Sequence, residues 1–129
     1  ARPARLTKGL VLPVPASTVR VLHDGDVLAS QVDVADTTFA RARGLMFRRS
    51  IPDDYALVFR FDDAGRRDVH MLFVPFPIDA VWLVDGEVEQ AKRLRRWVGL
   101  GSARADTLIE LPAGAAKGVS RGDEVVVET

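Results

Sequence analysis

Asp79 and His70 are the residues of this chain best placed to do chemistry. Both stand in its most apolar stretch, DVHMLFVPFPIDAVWLVDGEVE, residues 68–89. An ionised side chain in such surroundings costs several kcal/mol unless it is paired or hydrogen-bonded, so each needs a partner or a task. A carboxylate and an imidazole sharing one cavity can act as acid and base, and hydrophobic walls are what tune such groups. Nine residues separate them, a spacing that adjacent antiparallel strands could close. Two readings follow. Asp79 is a structural clamp, neutralised by Arg43 and Arg48 on either side of GLMF or by the backbone N–H groups of the Gly44 turn. Alternatively it is a general base or ligand acceptor at a barrel mouth with His70 as its companion. The clamp is the simpler reading, because buried paired carboxylates mostly fix geometry.

A second constellation is AKRLRRWVGLGSAR, residues 91–104, which gathers Lys92, Arg93, Arg95, Arg96 and Arg104 around Trp97. Cations beside a stacking aromatic suit a phosphate, a nucleic acid or a sugar resting on the indole face. The competing reading is a solvated hairpin end whose charges pair with nearby aspartates. With 18 basic and 18 acidic residues the formal charge is zero, so no global field gathers a polyanion and nucleic acid is not the expected partner.

Other chemistries find little support. Cysteine is absent, which removes disulfides, thiolate nucleophiles and thiolate-bound metals. The two histidines, His23 and His70, lie far apart in sequence, and DDAGRRD lacks the alternating acids of a calcium loop. The serines lie in or beside turns, without the strand-to-helix elbow of an acyl-transfer nucleophile. LPAGAAKG lacks the Gly-Lys-Ser/Thr ending of a phosphate loop. No metal or cofactor is expected.

The elements that must position these residues are short. TVRVLH and DVLASQVDVA flank Asp24-Gly25, a pair suited to a type I′ hairpin turn. DTTFARARGLMF predicts a brief helix with Asp36 as its N-cap, one side formed by Phe39, Ala42 and Met46, and Gly44 as its stop. ALVFRF reads as a buried strand, DDAGRRD as a turn, and 68–84 as two strands interrupted by Pro75 and Pro77. Asp85-Gly86 predicts a second hairpin, DTLIEL another strand, PAGAAKGV one helical turn and DEVVVE the last strand. Ile78, Ala80, Trp82 and Val84 share one face of their strand, while Asp79, Val81 and Leu83 share the other. Both faces are apolar, which marks a central strand. A chain of 129 residues, 47% of them apolar, suits a single core. The expected organisation is an N-terminal extension over 1–16 and one mostly β (α+β) domain over 17–129, an antiparallel barrel or sandwich with one short helix. No apolar run reaches the roughly 18–20 residues of a membrane span. The opening stretch, broken by Pro13 and Pro15, makes a poor signal peptide and inclines the expectation toward the cytoplasm.

Three segments together resemble the family called domain of unknown function 192: TFARARGLMFR at 38–48, HMLFVPFPIDAVWLVDGEV at 70–88 and LIELPAGAAKGVSRGDEV at 108–125. Matching positions include Arg43, Gly44, Leu45, Met46, Met71, Pro77, Asp79, Gly86, Glu110, Leu111, Pro112, Gly114, Gly122 and Asp123. The resemblance implies a compact β-rich, barrel-like fold and carries no activity, substrate or catalytic residue. One departure is visible. Many members have an aromatic residue followed by Met-Lys-Asn-Thr where this chain has His70, Met71, Leu72, Phe73 and Val74.

The expectation is a non-enzymatic domain binding a small polar or carbohydrate-like ligand at one barrel end, through Asp79, His70, Arg43, Trp97, Arg93, Arg95 and Arg96. Its alternatives are a hydrolase-like enzyme using Asp79 and His70, and an anionic-polymer binder using the basic segment 92–96.

Overall fold

The computed structural model describes residues 20–35 and 37–128. The N-terminal extension, residues 17–19 and the Asp36 cap lie outside them, as does the Phe39 side chain. Two Asp-Gly pairs build the hairpins, and all four residues adopt the positive φ that a type I′ turn requires: 49° and 89° at Asp24 and Gly25, 51° and 81° at Asp85 and Gly86. The first joins β1 (Arg20–His23) to β2 (Asp26–Ala29), and the second joins β5 (Ile78–Val84) to β6 (Glu87–Leu94).

The run DVLASQVDVA changes sheets at Ser30. Ser30 and Gln31 both donate their backbone N–H to the Asp54 carbonyl, at 2.9 and 3.0 Å, and β3 (Gln31–Ala35) continues in the second sheet. Next comes α1 (Thr38–Arg43), capped by the Thr37 hydroxyl, which accepts the Ala40 N–H. Gly44, at φ 52°, ends it as expected, and Arg41 and Arg43 favour the negative end of its dipole. The helix returns the chain so that β3 pairs with β4 (Tyr55–His70) in parallel. That corrects the all-antiparallel expectation, because a helical crossover delivers the next strand in the same direction.

One further expectation is corrected and another is refined. DDAGRRD is not a turn: β4 runs through it to His70, paired with β7 (Leu100–Pro112) across a register shift between Arg60 and Gly65. Arg67 holds the irregular stretch by donating to the carbonyls of Ala105 and Asp63, with its guanidinium 3.8 Å from the Phe61 ring centroid. The two strands expected around Pro75 and Pro77 are present as the end of β4 and β5, but the interruption is wider than the prolines and forms a loop over 71–77.

The strands form two sheets, β2-β1-β8 with β8 at Val125–Glu128, and β3-β4-β7-β5-β6. Among the described residues the ladders do not close, so the barrel expectation gives way to a two-sheet, mostly β arrangement. The five-stranded sheet is apolar on both faces. Leu57, Phe59, Ile78, Ala80, Trp82 and Leu108 pack with Leu45, Met71 and Val74 on one side. Val58, Val81, Leu83, Ile109 and Leu111 pack with Val21, Ala29 and Val125 of the small sheet on the other, together with Ala116 and Val119 of the 112–119 turns. As its parity predicts, β5 is interior, flanked by β6 and β7. No helix among the described residues is long and apolar enough to cross a membrane.

Candidate functional site

A sheet buried on both faces leaves a carboxylate at any of its interior positions without water. Among the described residues there are two such carboxylates, and they meet different fates. Asp79 is 4% exposed and fully provided for. Its Oδ2 accepts the backbone N–H groups of Gly114 and Ala116 at 3.0 and 2.9 Å, and its Oδ1 pairs with Arg93 Nε on the neighbouring strand. The clamp therefore exists with other partners than those expected. It ties β5 to the PAGAAKG turns, because Asp79 faces the same side as Leu111 and Ala116. The Arg43-Gly44-Arg48 bend lies elsewhere, and Arg48 sits 3.8 Å from Asp33 with its guanidinium over the Tyr55 ring.

The carboxyl group at the Gly44 bend belongs to Glu110. Paired with Ala80 in the register, it projects from the opposite face of the sheet to Asp79. A Cβ built on Gly44 would lie 3.9 Å from Glu110 Oε1. Glu110 is 6% exposed and has no hydrogen-bond or ion-pair partner among the described residues. Burial pushes its pKa up to about 8, so at neutral pH it carries its proton.

Glu110 opens on a cavity of about 330 Å³ enclosed by α1, the 44–46 bend, β4 and the ends of β5 and β7. Leu45, Met46, Phe59, Val69, Met71, Val74, Ile78 and Leu108 give it apolar walls, and Arg41, Arg43, Arg66, Arg67, Asp68 and His70 supply its polar groups. Arg66 is paired with Asp68, whose carboxylate also accepts from Ser102 and is held below the usual range first by that bond. Arg43 is exposed and has no partner among the described residues.

The structure thus divides the residues singled out from sequence. His70 and Arg43 line the cavity. His70 is exposed rather than buried in an apolar row, and its Nδ1 accepts the Leu72 N–H at 3.2 Å. Asp79 and His70 are not brought together: they stand opposite Leu111 and Leu100, at the two ends of β7, and only His70 lines the cavity. Arg93 belongs to the Asp79 clamp, and Lys92 donates to the Leu100 carbonyl. Arg95, Arg96 and Trp97 lie in the loop between β6 and β7, outside the cavity, where they line a shallow recess with Pro77 and Val98. Glu110 was readable from the same argument that found Asp79: in LIELP it alternates with apolar neighbours on a strand with two apolar faces.

His23 also acquires a role that its isolation in sequence hid. Its Nε2 lies 2.8 Å from Asp123 Oδ2 and 3.4 Å from Asp24 Oδ2. Asp123 also accepts the Ser120 N–H, and that backbone bond followed by the His23 contact lowers its pKa. The group fastens β1 to the loop before β8.

A family model described as DUF192, Uncharacterized ACR, matches residues 19–127. The UPF0127 protein of Thermococcus sibiricus is 37% identical over 109 residues, covering 78% of this chain and 68% of its own length. The UPF0127 protein of Thermococcus gammatolerans is 31% identical over 103 residues, covering 77% and 67%. Among solved structures, a putative transcription regulator from Sinorhizobium meliloti is similar with a TM-score of 0.71 at 24% identity, over 84% of this chain and 91% of that one. A protein of unknown function from Novosphingobium aromaticivorans is similar with a TM-score of 0.70 at 21% identity, over 88% and 89%. At these identities the two structures speak for the fold alone.

Proposed function

The chain belongs to the DUF192 family of uncharacterised proteins, and we propose that it serves as a non-enzymatic binder of a small polar, carbohydrate-like ligand held in the Glu110 cavity. The observation that carries this reading is a carboxyl group buried without a partner and facing an open cavity. A buried polar group normally has a hydrogen-bond partner, and leaving one unmade costs about 1–3 kcal/mol. A ligand hydroxyl or carbonyl entering the cavity would remove that cost. The size agrees with small-ligand sites, which begin at about 300 Å³ and combine apolar walls with a few polar groups. Protonated Glu110 both donates and accepts, which suits a neutral hydroxyl, while Arg43 and His70 at the opening suit a further polar or anionic substituent.

The hydrolase alternative needs Asp79 and His70 in one cavity, an arrangement that the register opposes. The ligand-binding reading is tested by a thermal-shift screen of monosaccharides, short oligosaccharides, polyols and hydroxy acids. The variant Ala42→Trp serves as a plugged control, since Ala42 is an exposed helical residue on the cavity wall. A ligand at a hundredfold excess over its Kd stabilises the native state by about 2.7 kcal/mol. At least one of these compounds is expected to stabilise the wild type and leave Ala42→Trp unmoved. No shift with any of them at millimolar concentration, or equal shifts in the plugged variant, would contradict the reading.

A further inference from the structure

Three loops at one end of the molecule expose apolar side chains that the cavity does not use. Phe47 is 66% exposed, Phe73 44% and Trp97 51%, and Leu72, Val98 and Leu100 are more than half exposed beside them. The loops form one surface. Phe47 N–H donates to the Phe73 carbonyl at 2.9 Å, and the two rings stack with centroids 5.0 Å apart. Trp97 N–H donates to the Val74 carbonyl and Met71 N–H to the Gly99 carbonyl, both at 3.1 Å. Each of the three aromatic residues is held at positive φ, 70° at Phe47, 61° at Phe73 and 65° at Trp97. Bulky residues seldom adopt that conformation, and it persists where surrounding bonds impose it. Here the result is outward display of rings that a relaxed backbone could turn elsewhere.

The charges carried by these three loops have one sign, and the exposed Asp68 beside Leu100 belongs to the neighbouring strand β4. Segments 43–51, 71–77 and 94–100 contain Arg43, Arg48, Arg49, Arg95 and Arg96 and no Asp or Glu. Arg48 turns inward to Asp33, whereas Arg43, Arg49, Arg95 and Arg96 are exposed and have no partner among the described residues. In a chain with equal numbers of acids and bases this separation is local. We propose that these loops dock on an anionic phospholipid surface, with Phe47, Leu72, Phe73, Trp97 and Val98 entering the interface and the arginines meeting the headgroups. Aromatic rings favour the headgroup level, and cations near an anionic leaflet add to the attraction. A single-stranded nucleic acid would use the rings and arginines but leave the exposed Leu72, Val98 and Leu100 without apolar cover.

The experiment is flotation with vesicles of phosphatidylcholine alone and with 30% phosphatidylglycerol, followed by Trp emission. Trp82 is fully buried, so a blue shift on mixing reports Trp97. Phe47→Asn with Phe73→Asn removes the rings while keeping residues that tolerate positive φ, and Arg95→Gln with Arg96→Gln removes charge. Thermal melts in buffer verify that both variants are folded. The wild type is expected to float with the phosphatidylglycerol vesicles and to blue-shift, and to lose both in high salt. Each arginine removed should weaken partitioning roughly fivefold, and the double Asn variant should abolish the blue shift. Equal behaviour with both vesicle types, folded variants that bind like the wild type, or binding to a short single-stranded DNA without vesicle binding would overturn the proposal.

Discussion

At the scale of single residues, the two interior acids differ in what surrounds them and so in what they can do. Asp79 accepts two backbone N–H groups and an arginine, a set that satisfies the ionised form and fixes a turn onto a strand. Removing the carboxylate by Asp79→Ala leaves the N–H groups of Gly114 and Ala116 unpaired, and the expected cost is about 3 kcal/mol in urea unfolding. Arg93 is half exposed, so Arg93→Ala leaves both N–H bonds in place and should cost about 1 kcal/mol or less. Similar losses for the two variants would show that the arginine, and not the turn, is what Asp79 holds. The need for a partner was legible in the sequence because an acid alternated with Val81 and Leu83. The partner's identity was not, because it depends on Leu111 lying opposite Asp79, a register between distant segments.

At the scale of elements, the hairpin turns, the helix and its Gly44 stop were legible because each depends on a few adjacent residues. The course of β4 was not. DDAGRRD has the composition of a turn, yet pairing with β7 and the hold of Arg67 on Ala105 and Asp63 keep it in the sheet. The parallel pairing of β3 and β4 was hidden for a related reason, since a strand of five residues such as β3 carries no mark of direction. The joint between β6 and β7 depends on close packing. A Cβ at Gly101 would lie 2.6 Å from Trp82 Cη2, and Trp82 is locked by its Nε1–H donating to the Arg67 carbonyl at 2.8 Å. Gly101→Ala is expected to destabilise the protein by about 2 kcal/mol, measured by denaturant unfolding. Wild-type stability for this variant would mean that the indole is free to shift.

At the scale of the whole molecule, the five-stranded sheet keeps its two tasks apart. One face receives the small sheet and the Asp79 clamp, and the other carries α1, the cavity and the unpartnered Glu110. The class of fold was legible from short strands with both faces apolar, whereas the sandwiching of one sheet between a smaller sheet and a helix was not, because Ser30 gives no sign in sequence of a change of sheet. The buried acid also links the fold to pH. Glu110 has a folded-state pKa raised to about 8 from an ordinary 4.5, so between those values the native state holds a proton that the unfolded chain releases. Its contribution to stability is complete at low pH and declines as pH rises through that window, by up to about 1.4 kcal/mol per pH unit. The most direct test of an unpaired, buried acid facing the cavity is a carbon-13 NMR titration of the Glu110 side-chain carboxyl in the intact protein. A midpoint near 8 is the expected result, and a midpoint in the ordinary glutamate range near 4.5 would contradict it.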